Sequence, residues 1–248
     1  MEDKNLALYN SKEVVDYYNG LTAISPIEKH LFQKYLQPNS QVLELGVGGA
    51  RVTPAIVAIT THYIGLDHSD LMVSTCQKKL PQLRFEVGDA ADLSRFKNQS
   101  FDVIVFAFNG IDELHPDEKR SQCLRECHRL LKPGGIFIFS SHNAKKIVEL
   151  PDYSNASPVQ VIWRTFLSSY CTIIRIFKTG RSQYFWKGFG YRYRTNVHGG
   201  IVYYMSSPEF FAKELKAHQF SLVETHSSLY PRAIFKWNHP WYYYVARK

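Results

Sequence analysis

Short apolar runs alternate with amphipathic segments from residue 41 onward, and this alternation is the main structural signal in the chain. The apolar runs predict strands at 41–45, 62–66, 83–87, 101–108 and 136–140. The segments between them predict helices at 52–58, 71–79 and 117–131. Such strand–helix–strand repeats predict right-handed crossovers and a mostly parallel sheet with helices on both faces, an α/β fold. The nearly continuous apolar run 101–108 is typical of a central strand covered on both faces.

The two ends of the chain complete a single domain over residues 1–248. Residues 1–40 are expected to form a helical cap, with one helix starting after Ser11 and a second near Pro26. A helix starting near Ser207 ends near His218, and two strands, 220–225 and 241–246, follow it.

Residues 145–205 have a different residue pattern, because aromatic residues there are interleaved with Arg and Gly. The alternation of Tyr191 and Tyr193 with Arg192 and Arg194 predicts a strand with one aromatic and one basic face. We interpret the segment as an insertion after the fifth strand. Its rings and cations fit either a small separate core with solvated arginines, or an aromatic pocket in which Arg binds a carboxylate or phosphate.

The charge of the chain is unevenly distributed. The formal net charge is +8, but residues 1–140 contribute −2 and residues 141–248 contribute +10. A positive half of this kind is either a solvated surface or a field that attracts an anionic acceptor, nucleic acid or a membrane surface.

Several classes of protein do not match the composition. No apolar run approaches the ~18 residues of a membrane span, so no membrane partner is expected. Residues 1–4 are polar, unlike a secretion signal, and the four cysteines form no Cys-x-x-Cys pair. These features predict a cytoplasmic protein with reduced thiols and no metal site.

A glycine-rich turn joins the first predicted strand to the helix after it, in the run Glu44-Leu45-Gly46-Val47-Gly48-Gly49. Glycine there allows a sharp turn and close approach of a ligand to the backbone. Asp67 ends the second strand, where a carboxylate can bind both ribose hydroxyls, and Asp89 follows the third. Arg51 replaces the third glycine of a dinucleotide fingerprint. The combination predicts a nucleoside pocket at the carboxyl edge of the sheet.

These motifs resemble those of class I S-adenosylmethionine-dependent methyltransferases of the small-molecule type. The resemblance spans residues 40–141 and includes Gly88-Asp89-Ala90, Phe101-Asp102-Val103-Ile104 and Leu130-Leu131-Lys132-Pro133-Gly134-Gly135. It implies a doubly wound, seven-stranded sheet whose last strand is antiparallel, with S-adenosylmethionine as cofactor. Because this family commonly inserts acceptor-binding elements after the fifth strand, it also implies that residues 145–205 form an inserted lid that binds the methyl acceptor. The expected cofactor-binding residues are Glu44, Gly46, Gly48, Asp67, Asp89, Ala90, Asn109 and, from the cap, Tyr18.

The expected reaction is in-line transfer of a methyl group to O or N of a small acceptor, aromatic or anionic in character. Candidate bases are His142 after the fifth strand, His115 after the fourth, and His198 in the aromatic segment. The alternatives are an RNA or protein methyltransferase, or a non-catalytic nucleic-acid-binding module that uses the basic aromatic segment. Nucleic acid is disfavoured because the chain contains no Lys/Arg run and no appended RNA-binding domain.

Overall fold

The computed structural model describes residues 4–145, 157–166, 187–194, 201–231 and 239–248. Within these ranges nine strands form a seven-stranded sheet and a separate hairpin. The strands are β1 Val42–Leu45, β2 Tyr63–Asp67, β3 Arg84–Val87, β4 Phe101–Phe106, β5 Leu131–His142, β6 Phe189–Arg194, β7 Ile201–Ser206, β8 Ser221–Ser227 and β9 Trp241–Arg247.

The large sheet has the order β3-β2-β1-β4-β5-β9-β8. Strands β1 to β5 are parallel, whereas β9 lies antiparallel between β5 and β8. The predicted seven-stranded sheet with an antiparallel last strand is therefore confirmed. The strand order reverses between β1 and β4, and ligands of open α/β sheets bind in the crevice at such a point.

Helices cover both faces of the sheet, and a buried apolar cluster lies on each face. The helices are α1 Lys4–Tyr9, α2 Lys12–Gly20, α3 Pro26–Tyr35, α4 Thr53–Val57, α5 Asp70–Lys79, α6 Asp117–Leu130 and α7 Pro208–Ala217, and residues 158–166 are also helical. No helix in the described ranges is both long enough and apolar enough to span a bilayer.

The N-terminal helices begin at the side-chain caps that the sequence predicts. Ser11 accepts a hydrogen bond from the backbone of Val14, and Ser25 forms a reciprocal capping box with Glu28. Tyr9 and Val14 then pack on Met72 of α5, which holds the cap against the carboxyl edge of the sheet.

The hairpin β6–β7 lies beside the end of β5. Asn143 forms a parallel bridge with Ser206, and the Ala144 amide donates to the Ser206 carbonyl at 3.1 Å. A predicted strand thus exists at Phe189–Arg194, while His198 lies outside the described residues.

Two strand boundaries differ from the sequence prediction. β4 ends at Phe106 because Phe108 and Asn109 have left-handed backbone conformations, with φ of 56° and 63°. β5 begins at Leu131 because Leu131 already pairs with Phe101, and the ladder shifts register across the Pro-Gly-Gly turn.

Candidate active site

A cavity of about 380 Å³ opens at the carboxyl ends of β1, β2 and β4, where the strand order reverses. Seven of the eight sequence-predicted cofactor residues line it: Tyr18, Glu44, Gly46, Gly48, Asp67, Asp89 and Ala90. The eighth, Asn109, is not among the lining residues. The volume lies within the range usual for small-molecule sites.

The glycine-rich turn forms the floor of the cavity. Gly46 and Gly48 have φ of 62° and 51°, a conformation that favours glycine. A Cβ on Gly46 would come within 2.8 Å of the Phe106 ring, so this floor also requires a residue without a side chain.

Asp67 points its carboxylate at the cavity from the end of β2. Its Oδ2 accepts from the Gly48 amide at 2.9 Å, and its Oδ1 accepts from the Ser69 amide at 3.0 Å. Two backbone donors fix the orientation of this carboxylate, and each oxygen keeps a further lone pair for a ligand hydroxyl.

Asp89 lies on the opposite side of the cavity, after β3. Its Oδ1 accepts from the Ala91 amide at 2.8 Å, and its Oδ2 accepts from Lys119 Nζ at 3.1 Å. Lys119, from α6, lines the cavity as well, so the N-terminus of α6 forms part of this wall.

Glu44 is held differently from the other two acids. Its side chain is buried, and its Oε2 accepts from Tyr63 at 2.7 Å and from Thr53 at 2.8 Å. Burial raises the pKa of this carboxyl to about 7, against the pull of these two hydroxyls. Glu44 therefore supports the floor of the cavity from below.

The helical cap closes the cavity from above. The Tyr9 hydroxyl donates to Glu113 Oε1 at 2.6 Å, and the Tyr18 ring lies 5.8 Å from the Tyr9 ring. Burial raises the pKa of both phenols above the ordinary value, and the Glu113 carboxylate adds to that effect. Both tyrosines are therefore neutral hydrogen-bonding groups at the mouth of the site.

The segment after β4 forms an aromatic wall with an unusual backbone. Two consecutive residues other than glycine, Phe108 and Asn109, are left-handed, which costs on the order of 1–3 kcal/mol each. Arg51 lies over the Phe108 ring at 4.8 Å and also binds Glu28 through two nitrogens. Asn109 is buried, and no described residue hydrogen-bonds to its Oδ1.

His142 ends β5 and pairs with a buried carboxylate. Asp112 Oδ2 accepts from the His142 amide at 2.7 Å and lies 2.6 Å from His142 Nδ1, while Ser141 donates to Oδ1 at 2.6 Å. Burial raises the pKa of Asp112, and these hydrogen bonds oppose the rise. Because an ionised carboxylate can only accept hydrogen bonds, we assign the imidazole proton to Nδ1 in this contact, which leaves Nε2 without a proton and able to accept one.

The candidate His115 contacts a different residue. The His115 ring is 6.3 Å from the Tyr191 ring of the hairpin and does not line the cavity. His142 does not line it either, but Asp112 belongs to the 3₁₀ turn Gly110–Glu113, which forms part of the wall. Within the described ranges no three His, Cys, Asp or Glu side chains are grouped to hold a metal.

Sequence reasoning missed Asp112, Glu113 and Lys119. Asp112 and Glu113 are adjacent and follow the fourth predicted strand, a position that could have indicated them as site residues. Lys119 carries no local signal, because its partner Asp89 lies 30 residues earlier.

Comparison with known proteins identifies the domain. Residues 42–135 match the methyltransferase domain family. The protein YqeM of Bacillus subtilis is 26% identical over 161 residues, covering 61% of this chain and 65% of its own length. A demethylmenaquinone methyltransferase of Thermotoga maritima is 34% identical over 113 residues, covering 44% of this chain and 47% of its own. The chain thus spans less than two thirds of either relative.

The fold is also found in solved structures. One is the 1,6-didemethyltoxoflavin-N1-methyltransferase of Burkholderia thailandensis, with S-adenosylhomocysteine and its acceptor bound. It matches with a TM-score of 0.62 and 18% identity, over 100% of this chain and 90% of that one. At this identity the likeness shows the fold.

The residues around the cavity fit S-adenosylmethionine, the cofactor of this family. The glycine floor admits a ligand close to the backbone, and the oriented carboxylate of Asp67 suits a ribose. The domain that residues 42–135 match is a methyltransferase domain, and the glycine turn, Asp67 and Asp89 of the cavity all lie within it.

Proposed function

We propose that the chain methylates an O or N atom of a small acceptor, with His142 as the base that removes the acceptor's proton. The observation that carries this proposal is the contact of His142 Nδ1 with buried Asp112, 2.6 Å away. A histidine whose Nδ1 is held by a carboxylate presents a basic Nε2, as general base catalysis requires.

The cofactor, when bound, supplies an electrophilic methyl group on a sulfonium. In this proposal Asp67 binds the ribose, Asp89 and Ala90 border the adenine, and the glycine turn lies under the ligand. The cap residues Tyr9 and Tyr18 exclude water. Positioning of this kind contributes several kcal/mol to catalysis without a covalent intermediate.

The acceptor is proposed to enter from the side of the hairpin, under the lid formed by residues 145–205. The Tyr203 ring of β7 lies 4.5 Å from the His142 ring, which supports an aromatic surface beside the base. The excess positive charge of residues 141–248 supports an acceptor with an acidic group.

The cytoplasm is the proposed location. Four cysteines scattered along the chain support this location, because disulfide-bonded domains of oxidising compartments carry denser cysteine frameworks.

The RNA and protein methyltransferase alternatives are weaker. Among the relatives named above, two have small-molecule acceptors in their names, demethylmenaquinone and 1,6-didemethyltoxoflavin. No contact in the described residues favours a polymeric acceptor over a small one.

The test has two parts. Calorimetry should show S-adenosylhomocysteine binding at micromolar affinity or better. Release of S-adenosylhomocysteine should then be measured with a panel of hydroxylated and amine-bearing aromatic acids and their neutral analogues. With the best acceptor, His142→Ala should lower kcat by ~10²–10⁴-fold, and Asp112→Asn should lower kcat by a smaller factor. His115→Ala is the matched control.

An unchanged kcat in His142→Ala would remove this base from the mechanism. Undetectable S-adenosylhomocysteine binding by the folded chain would overturn the whole proposal. Sub-micromolar RNA affinity that falls steeply with salt would instead favour the nucleic-acid alternative.

A further inference from the structure

The helix at residues 158–166 presents an exposed apolar face. Val159, Ile162, Trp163 and Phe166 follow one another at intervals of three, one and three residues and so lie on one face. We call these four residues the apolar stripe. Their exposed fractions are 76%, 71%, 61% and 61%, the four highest among the large hydrophobic residues that the structure describes.

The helix is well specified locally, although it buries little of its surface. Ser157 and Gln160 form a reciprocal cap: the Ser157 amide donates to Gln160 Oε1 at 3.0 Å, and the Gln160 amide donates to Ser157 Oγ at 3.4 Å. The Trp163 and Phe166 rings are stacked with centroids 6.1 Å apart. A capped helix with two stacked aromatic residues facing outward is typical of an interaction surface.

The net charge of the sequence segment that contains the stripe favours an anionic partner. Residues 141–194 contain nine Lys or Arg against two Asp or Glu, a net charge of +7. A second copy of the chain would bring two such charges together, and like charges repel. Nucleic acid would match the charge but gives Val159 and Ile162 no apolar environment. An anionic bilayer accommodates both, because apolar side chains enter the acyl boundary while Lys and Arg remain among the headgroups.

We propose that the apolar stripe docks the protein on the surface of a membrane that contains anionic lipids. In sequence, this helix lies between β5, which ends at His142, and β6. This contact is peripheral. The sequence-based expectation of no membrane partner rested on the lack of an apolar run long enough to span a bilayer, and binding to the membrane surface does not require such a run.

The test uses the full chain and vesicles of phosphatidylcholine alone or mixed equally with phosphatidylglycerol. Flotation should show binding to the mixed vesicles that weakens as salt rises. Trp163→Ser combined with Phe166→Ser should weaken the partition by at least about 10-fold, because two apolar side chains leave the interface. The matched control is Leu222→Ser with Val223→Ser, which removes two exposed apolar residues of β8.

A second variant distinguishes insertion of the Trp163 side chain into the membrane from an effect of the substitutions on folding. Trp163→Phe should still bind the mixed vesicles but lose most of the blue shift in tryptophan fluorescence that the unmodified chain shows on binding. S-adenosylhomocysteine affinity should be the same in all variants, because none of these residues lines the cavity. Equal partition of the stripe and control variants would overturn the proposal. So would a dimer in light scattering that only the stripe variant abolishes, or preferential binding of the stripe to RNA.

Discussion

The cofactor region, residues 42–135, and the later segment, residues 141–248, hold their polar side chains in different ways. Asp67 and Asp89 accept from backbone amides within two residues or at the neighbouring glycine turn. In the described part of the later segment, the carboxylates of Glu214 and Glu224 instead accept from side chains far away in sequence, Arg120 and Lys34. Backbone donors orient a carboxylate and leave it able to bind a ligand, whereas a side-chain pair serves chiefly to join elements.

One contact between the two regions, among the described residues, is a buried network around Arg120 of α6. This guanidinium donates to Glu214 at 2.9 Å and to the Tyr191 hydroxyl at 3.1 Å, and it lies 3.6 Å from the centre of the Tyr204 ring. Burial lowers the pKa of Arg120, but Glu214 more than offsets that, so the net direction is upward.

Arg120→Met should give the largest effect, a loss of about 3–5 kcal/mol in the free energy of unfolding, because it leaves Glu214 buried without a cation. Urea unfolding measures the loss, and the double variant with Glu214→Gln should recover part of it. Arg125→Met, an exposed arginine on the same helix, should change stability by less than about 0.5 kcal/mol. Equal losses in the two arginine variants would show that the network does not join the regions.

Glu44 gives the next largest effect on the free energy of unfolding. Unlike Arg120, which stabilises the fold, the Glu44 carboxyl destabilises it at high pH. Its pKa is about 7 in the folded chain and near 4.5 when exposed, so its stabilising contribution is complete below pH 4.5 and is lost as pH rises through 7. Without cofactor, the unmodified chain should lose about 3 kcal/mol between pH 4.5 and pH 8 relative to Glu44→Gln. Parallel stability curves for the two proteins would mean that the carboxyl stays ionised.

Asp67→Ala should weaken S-adenosylhomocysteine binding by ~1.5–3 kcal/mol, the usual value for a hydrogen bond to a charged group. Calorimetry measures this directly. Asp70→Ala removes an exposed acid three residues later and serves as control. If the two variants bind equally well, the oriented carboxylate is not the ribose ligand, and the contrast between the regions loses its functional meaning.

The same contrast explains what the sequence could predict. Asp67 and the glycine turn were predictable because strand end, turn and helix follow one another within 30 residues, and the resulting contacts are local. Asp112 was missed because its proposed role depends on its hydrogen bond to His142, which is 30 residues away. Arg120 was missed because its partner Glu214 is 94 residues away. Such side-chain pairs are brought together only by folding, and no repeating sequence pattern indicates them. The seven-stranded sheet with an antiparallel last strand was expected from the family resemblance. The strand order was not predicted, since local pattern does not specify which strands become neighbours.

The cap provides the smallest expected effect and the sharpest test of where the cofactor region ends. Tyr9 belongs to α1, outside residues 42–135, yet its hydroxyl donates to Glu113 in the cavity wall at 2.6 Å. Tyr9→Phe removes that bond and keeps the ring, so S-adenosylhomocysteine affinity should fall by about 1 kcal/mol if the cap closes on the ligand. Tyr17→Phe is the control, because the Tyr17 ring is 51% exposed and does not line the cavity. Hydrogen exchange adds an independent measurement: the ligand should protect the amides of α2 in the unmodified chain, and less so in Tyr9→Phe. If Tyr9→Phe changes neither the affinity for S-adenosylhomocysteine nor the protection of the α2 amides, the cofactor site is restricted to the strands that carry the motifs. The helical cap would then only pack against the sheet.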